Sequence, residues 1–118
     1  VEIIKNFKEL RIWQKAMEIA RDVYRISKQF PKEEIYGLTA QIRRSAISIP
    51  SNIAEGFKRF HCKEQKQFLS VAQGSAAELE TQLILSAELD FMTQQQFESI
   101  NDKIDHLSRM ISVAIRKF

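Results

Sequence analysis

Residues 41–56 read Gln41-Ile42-Arg43-Arg44-Ser45-Ala46-Ile47-Ser48-Ile49-Pro50-Ser51-Asn52-Ile53-Ala54-Glu55-Gly56. Two stripes run through them at helical spacing. Ile42, Ala46, Ile49 and Ile53 continue an apolar series that opens at Leu38 and closes at Phe57. Steps of three and four place such side chains on one buried face of a helix. Gln41, Ser45, Ser48, Asn52 and Glu55 step by 4, 3, 4 and 3 and form a polar seam beside that face. Pro50 cannot donate to the carbonyl four residues back, so a kink is predicted near it, with a full break as the alternative. The helix is predicted over residues 33–57, with Pro31 and the acids after it suiting its start and Gly56 serving as its C-cap. Arg43 and Arg44 point about 100° apart. Arg44, three residues after Gln41 and four before Ser48, is assigned to the seam, which leaves Arg43 for solvent or a phosphate.

A matching polar strip lies further along the chain, where Gly74, Ser75, Glu78 and Gln82 sit within a third predicted helix over residues 64–90. Its apolar side is Phe68, Ala72, Ala76, Leu79, Leu83 and Ala87. Gly74 costs about 1 kcal/mol there relative to alanine, which points to close approach of another backbone. Thr93 with Gln96 three residues on reads as a capping box opening a fourth helix over 94–117, whose seam is Phe97, Ile100, Ile104, Leu107, Ile111, Ala114 and Phe118. A first helix over 10–29 carries Trp13, Ala16, Met17, Ala20, Val23, Tyr24 and Ser27, with Ile12, Ile19 and Ile26 forming a second line. Phe30-Pro31 stops it. Its apolar face is wide enough for two neighbours in a bundle or for a subunit contact.

The 118 residues hold one domain, with three glycines and two prolines to make turns. That scarcity argues against an all-β fold and for long helices joined by short connections, which make antiparallel neighbours. The predicted fold is all-α, a single up-down-up-down four-helix bundle over residues 1–118. One cysteine, Cys62, cannot form an internal disulfide. No apolar run approaches the roughly 18 residues of a membrane span and no charged-then-apolar leader opens the sequence, so the expected location is cytoplasmic.

The net charge of +3 is unevenly spread. Residues 1–66 carry fourteen Lys/Arg against eight Asp/Glu, whereas residues 67–102 carry six acids and no base. Such a dipolar surface steers a polyanion or lets a basic face of one subunit meet an acidic face of another. An ordinary solvated exterior is the plain alternative.

Ser48-Ile-Pro-Ser-Asn-Ile-Ala-Glu-Gly56, preceded by Gln41-x-Arg-Arg44 and followed by Gly74-Ser-x-x-Glu-Leu79, resembles the proteins of the 23S rRNA intervening-sequence family. Leu10-x-x-Trp13, Phe30-Pro31 and Tyr36-Gly-Leu38 extend the resemblance to nearly the whole chain, while Cys62 and the 58–63 tip are not family signatures. The resemblance implies an antiparallel four-helix bundle in a ring-like homo-oligomer, with a pentamer favoured. It implies no settled activity.

No Ser-His-acid arrangement, phosphate-cradling glycine loop or nucleotide fingerprint is present, and no cofactor is expected. Glu55 and Glu78 are the carboxylates that could form an acid/base pair; the structural reading places each at a helix interface, bonded to Arg44, Asn52 or a serine. His106 with Asp102, and His61 with Cys62 and Glu64, supply too few convergent ligands for a metal. An enzyme is therefore not expected. Lys58, Arg59, Lys63 and Lys66 cluster about the tip, with Phe60 available to stack on a base. With Arg43 they form the candidate nucleic-acid-binding set, for RNA or DNA. Gln41, Arg44, Ser45, Ser48, Asn52, Glu55, Ser75 and Glu78 form the candidate structural seam or oligomer contact. The alternative function is a protein-binding assembly or adaptor module with no nucleic-acid role, which meets its partner through the acidic 67–102 surface and the polar seam.

Overall fold

The computed structural model describes residues 4–118. Four helices make up the chain: α1 (Arg11–Ser27), α2 (Leu38–Phe57), α3 (Cys62–Glu88) and α4 (Gln94–Arg116). Short 3-10 turns at Phe7–Glu9 and Lys32–Glu34 precede α1 and α2, and there is no strand among the described residues.

The apolar stripes meet in one core. Ile19 and Val23 from α1, Ile42, Ile49 and Ile53 from α2, Leu79 and Leu83 from α3, and Ile104, Leu107 and Ile111 from α4 are fully buried. Burying one such side chain stabilises the fold by about 1.5–3 kcal/mol before chain entropy is set against it. Each helix packs on its neighbours in sequence, α1 also packs on α4, and the two diagonal pairs stand further apart. Partner numbers run in opposite senses across α2 and α3, from Ser45 with Gln82 through Ser48 with Ser75 to Gly56 beside Gln65 and Phe68. The same holds for α1 and α4, where Asp22 meets Lys103 and Gln29 meets Gln96. The result is a four-helix bundle of 46 × 25 × 20 Å.

Helix ends differ from the sequence reading for identifiable reasons. The second helix begins at Leu38, not residue 33, because the acids after Pro31 form a 3-10 turn. Glu34 then turns its carboxylate onto the next helix, where Oε1 accepts from the Leu38 amide at 3.0 Å. Gly37 leaves room for this cap, since a Cβ there would stand 2.9 Å from that oxygen. Helix α2 runs unbroken through the buried Pro50, which excludes the full break. Gly56 is not the C-cap either: the helix continues to Phe57 and Lys58 caps it in right-handed geometry. What Gly56 provides is proximity, because a Cβ there would lie 3.2 Å from Phe68 Cβ and 3.3 Å from the Gln65 carbonyl. Gly74 shows the converse. It is exposed, and nothing else in the chain lies within 4 Å of where its Cβ would be, so the close approach expected there does not occur within one copy.

The α3 helix starts at Cys62, which shortens the predicted 58–63 connection to residues 58–61. It ends in a Schellman arrangement: Phe91 N–H donates to Ser86 O at 2.9 Å and Asp90 N–H to Ala87 O at 3.0 Å, with Asp90 at φ 62°. The capping box at Thr93 is present as read, with Gln96 N–H donating to Thr93 Oγ1 at 3.1 Å and Thr93 N–H to Gln96 Oε1 at 2.9 Å.

Candidate nucleic-acid interface

The polar seam is a contact between α2 and α3 inside one chain. Ser45 Oγ donates to Gln82 Oε1 at 2.9 Å, and Ser48 and Ser75 share a hydroxyl–hydroxyl bond of 2.7 Å. Asn52 Nδ2 donates to the Ser48 carbonyl at 2.8 Å and to its hydroxyl at 3.1 Å. These groups therefore satisfy one another where the two helices press together, as buried polar groups must. Four predicted members lie outside the seam. Gln41, Arg44, Glu55 and Glu78 are exposed, and Glu55 pairs with Arg59 at 3.0 Å, one turn on along its own chain. A single polar line four turns long curves out of a helix–helix contact at its ends, so only its middle is enclosed.

Neither arginine takes the role read for it from the sequence. Arg43 Nε donates to Ser27 Oγ at 2.8 Å and its guanidinium lies 4.8 Å from the centre of the Tyr24 ring, so it fastens α2 to α1. Arg44 is the exposed one. Arg43 also sits fifteen residues from Lys58 along α2, about 22 Å by helix rise, so it does not join the tip.

At the tip, Lys58, Phe60, Lys63 and Lys66 are exposed, Phe60 at 97%. Arg59 is held: it bonds Glu55, lies 4.0 Å from Glu64 and stacks 4.8 Å from the centre of the Phe68 ring. The surroundings of the tip extend its charge. Leu10, Ile53, Gly56, Leu69, Ala114 and Phe118 line one cavity, so the start of α1, the end of α2, the start of α3 and the end of α4 meet at this end. Phe7 reaches a further groove with Lys58 and Arg59. Nine bases therefore share the end (Lys5, Lys8, Arg11, Lys58, Arg59, Lys63, Lys66, Arg116, Lys117) with three acids, Glu9, Glu55 and Glu64. The opposite end reverses the sign, with Asp22, Glu33, Glu34, Glu88, Asp90 and Glu98 around Arg25, Lys28 and Lys32. Bases on α1 and α4 were visible in the sequence, but only the antiparallel packing brings them to the tip.

Two polar clusters escaped the sequence reading. Gln73 Nε2 donates to Ser112 Oγ at 2.6 Å and to the Ser108 carbonyl at 3.2 Å, tying α3 to α4. Lys103 on α4 donates to Asp22 at 2.6 Å and pairs with Glu18 at 3.2 Å, tying α4 to α1. The hydrogen bond from Lys103 lowers the Glu18 pKa, and the bond to Asp22 foremost raises that of Lys103, against a partial loss of solvation in both cases. Ser108 and Ser112, and Glu18 and Asp22, each stand four residues apart, the one signal that could have marked them.

Glu55 and Glu78 do not share a site. The Ser48–Ser75 register places Glu78 level with the Ser45 region, about ten residues and about 15 Å along α2 from Glu55. Among the described residues no three His, Cys, Asp or Glu side chains converge as metal ligands, and no helix is long and apolar enough to cross a membrane. Cys62 is an exposed free thiol.

No curated protein matches the chain. Among solved structures it is similar to a protein of unknown function from the S23 ribosomal protein family of Bacteroides thetaiotaomicron. The TM-score is 0.82 at 26% identity, over 88% of this chain and 97% of that one. The model of the family described as 23S rRNA-intervening sequence protein matches residues 8–113. With that match across the whole bundle, the chain belongs to the 23S rRNA-intervening sequence protein family.

Proposed function

We propose that the chain is a non-catalytic homo-oligomer, a pentamer in its favoured form, that binds RNA or DNA through its basic end. The observation that carries this reading is the gathering of nine bases, from helix ends and the segments beside them, at one end of a rod whose other end is acidic. Lys58, Lys63 and Lys66 are the exposed cations of the tip that have no ion-pair partner among the described residues, and Phe60 stands between them with its ring face free. Phosphates meet the lysines while an unpaired base stacks on the phenyl ring. Repetition around an oligomer axis multiplies a field that one copy supplies only modestly. Arg59 contributes less, because Glu55 and Glu64 already neutralise it.

The test is anisotropy of labelled single-stranded RNA and DNA titrated with protein across a salt series. Lys58→Glu, Lys63→Glu and Lys66→Glu together are expected to abolish measurable binding. Lys58→Gln, Lys63→Gln and Lys66→Gln should leave weaker binding whose salt slope is smaller by about 2–3 per chain engaged. Binding indifferent to both triple variants, or no binding at low salt, rejects the reading.

A second reading, an adaptor that recognises another protein, is favoured by one observation. Tyr36, 95% exposed, and Ile35, 49% exposed, stand out at the acidic end with no counterpart in the chain. A partner retained through nuclease treatment and high salt, and lost on Tyr36→Ala, would select it.

A further inference from the structure

One flank of the bundle carries an open apolar groove of about 490 Å³ between α1 and α2. Trp13, Met17, Tyr24, Ile47 and Pro50 line it, with Arg21 at its edge. Trp13, Met17 and Tyr24 belong to the wide α1 face, while Ile47 and Pro50 come from α2. A second uncovered surface runs along α3, where Val71, Gly74, Glu78, Thr81, Leu85 and Leu89 follow one another at steps of three and four. Val71, Leu85 and Leu89 are 48%, 45% and 50% exposed.

We infer that the two surfaces fit each other in separate copies: the outer face of α3 in one chain seats in the α1/α2 groove of the next. The inference rests on the homo-oligomer reading above and names its contact.

Four observations carry it. Gly74 lowers helix stability and no other part of its own chain uses the space it leaves. A neighbouring backbone or ring is what that space admits. Charge is complementary, since the strip carries Glu78 with Glu88 at its side, and no Lys or Arg occurs from residue 67 to residue 102. The groove side carries Arg21 and, one turn before Ile47, Arg44; both are exposed and neither has an ion-pair partner among the described residues. Exposed area is also larger than a compact chain needs. A folded monomer of 13.8 kDa exposes about 6,600 Å². This chain exposes 7533 Å², and the excess is on the order of the roughly 800 Å² that one of the two surfaces would bury, with the elongated shape supplying part of it. Finally, α3 lies diagonally across the bundle from α1, so strip and groove occupy different flanks. A contact between unlike surfaces leaves the groove of one copy and the strip of the other still open, and it closes on itself only as a ring.

The test mixes two single-cysteine proteins in a Cys62→Ser background, one bearing Ile47→Cys in the groove and the other Leu85→Cys on the strip. After equilibration, a short bismaleimide linker should join the mixture and neither protein alone. Light scattering on the same samples reports assembly. Assembled protein with no mixed cross-link, or Ile47→Cys protein that links to itself, overturns this contact and leaves the oligomer reading standing. A monomer at every concentration overturns both. Gly74→Ala supplies an independent arm: association should weaken roughly tenfold through steric overlap while helical content holds. Unchanged association would contradict the close approach at Gly74.

Discussion

Asp90 is the one non-glycine residue with positive φ among those described, and it sits at the left-handed position that ends α3. Two costs meet there: Cβ crowding, and a negative charge beside the negative end of a helix dipole. Asp90→Gly removes both, and a rise in stability of about 0.5–1 kcal/mol is expected, read as a melting temperature several degrees higher. Gly56→Ala should act oppositely. Its new methyl would press on Phe68 Cβ and the Gln65 carbonyl, with a loss of about 1–3 kcal/mol in denaturant melts. Glu78 gives a third test. Being exposed, it should tolerate Ala within about 0.5 kcal/mol in the dissociated chain, so any larger effect must arise from assembly. Single glycines were the least legible features of the sequence. Gly56 and Gly74 both break helix propensity, but which one admits a neighbour depends on which face the rest of the bundle covers.

Among the elements, apolar periodicity was enough to find all four helices, because each stripe satisfies one core and nothing competes with it. Termini were legible where a local side chain closes them, as at Thr93 and Gln96, and misread where a longer reach does, as at Glu34 and Leu38. The polar seam was half legible. Its spacing marked Ser45, Ser48 and Asn52, but period alone could not say that Gln41 and Glu55 at the ends turn to solvent. The α1–α4 tie among Glu18, Asp22 and Lys103 was invisible, since its members lie about eighty residues apart in sequence. This tie predicts a pH response with a definite sign. Glu18 has its pKa lowered in the fold, so its contribution is present above the ordinary carboxylate range and is lost as pH falls through the folded value. Lys103 has its pKa raised, so its contribution is present below the ordinary lysine range and is lost as pH rises through the folded value. Lys103→Met should therefore flatten the stability profile at both extremes. Equal slopes in the variant and the parent, from melts between acid and alkaline pH, would show that the tie is inert.

For the whole molecule, the charge blocks of the sequence become a dipole only after folding, when chain reversal places residues 5–11, 58–66 and 116–117 together. A basic end, an acidic end, an open groove and an open strip are what the folded chain presents to its surroundings. We propose that this bundle works as a homo-oligomer on nucleic acid. The most direct measurement is light scattering of the purified chain on a sizing column, with absorbance at 260 and 280 nm, before and after nuclease. The predicted result is a particle several times the 13.8 kDa chain, about 69 kDa for five copies, carrying absorbance at 260 nm that nuclease removes while the protein mass remains. A 13.8 kDa species free of nucleic acid at every concentration and at low salt would contradict it.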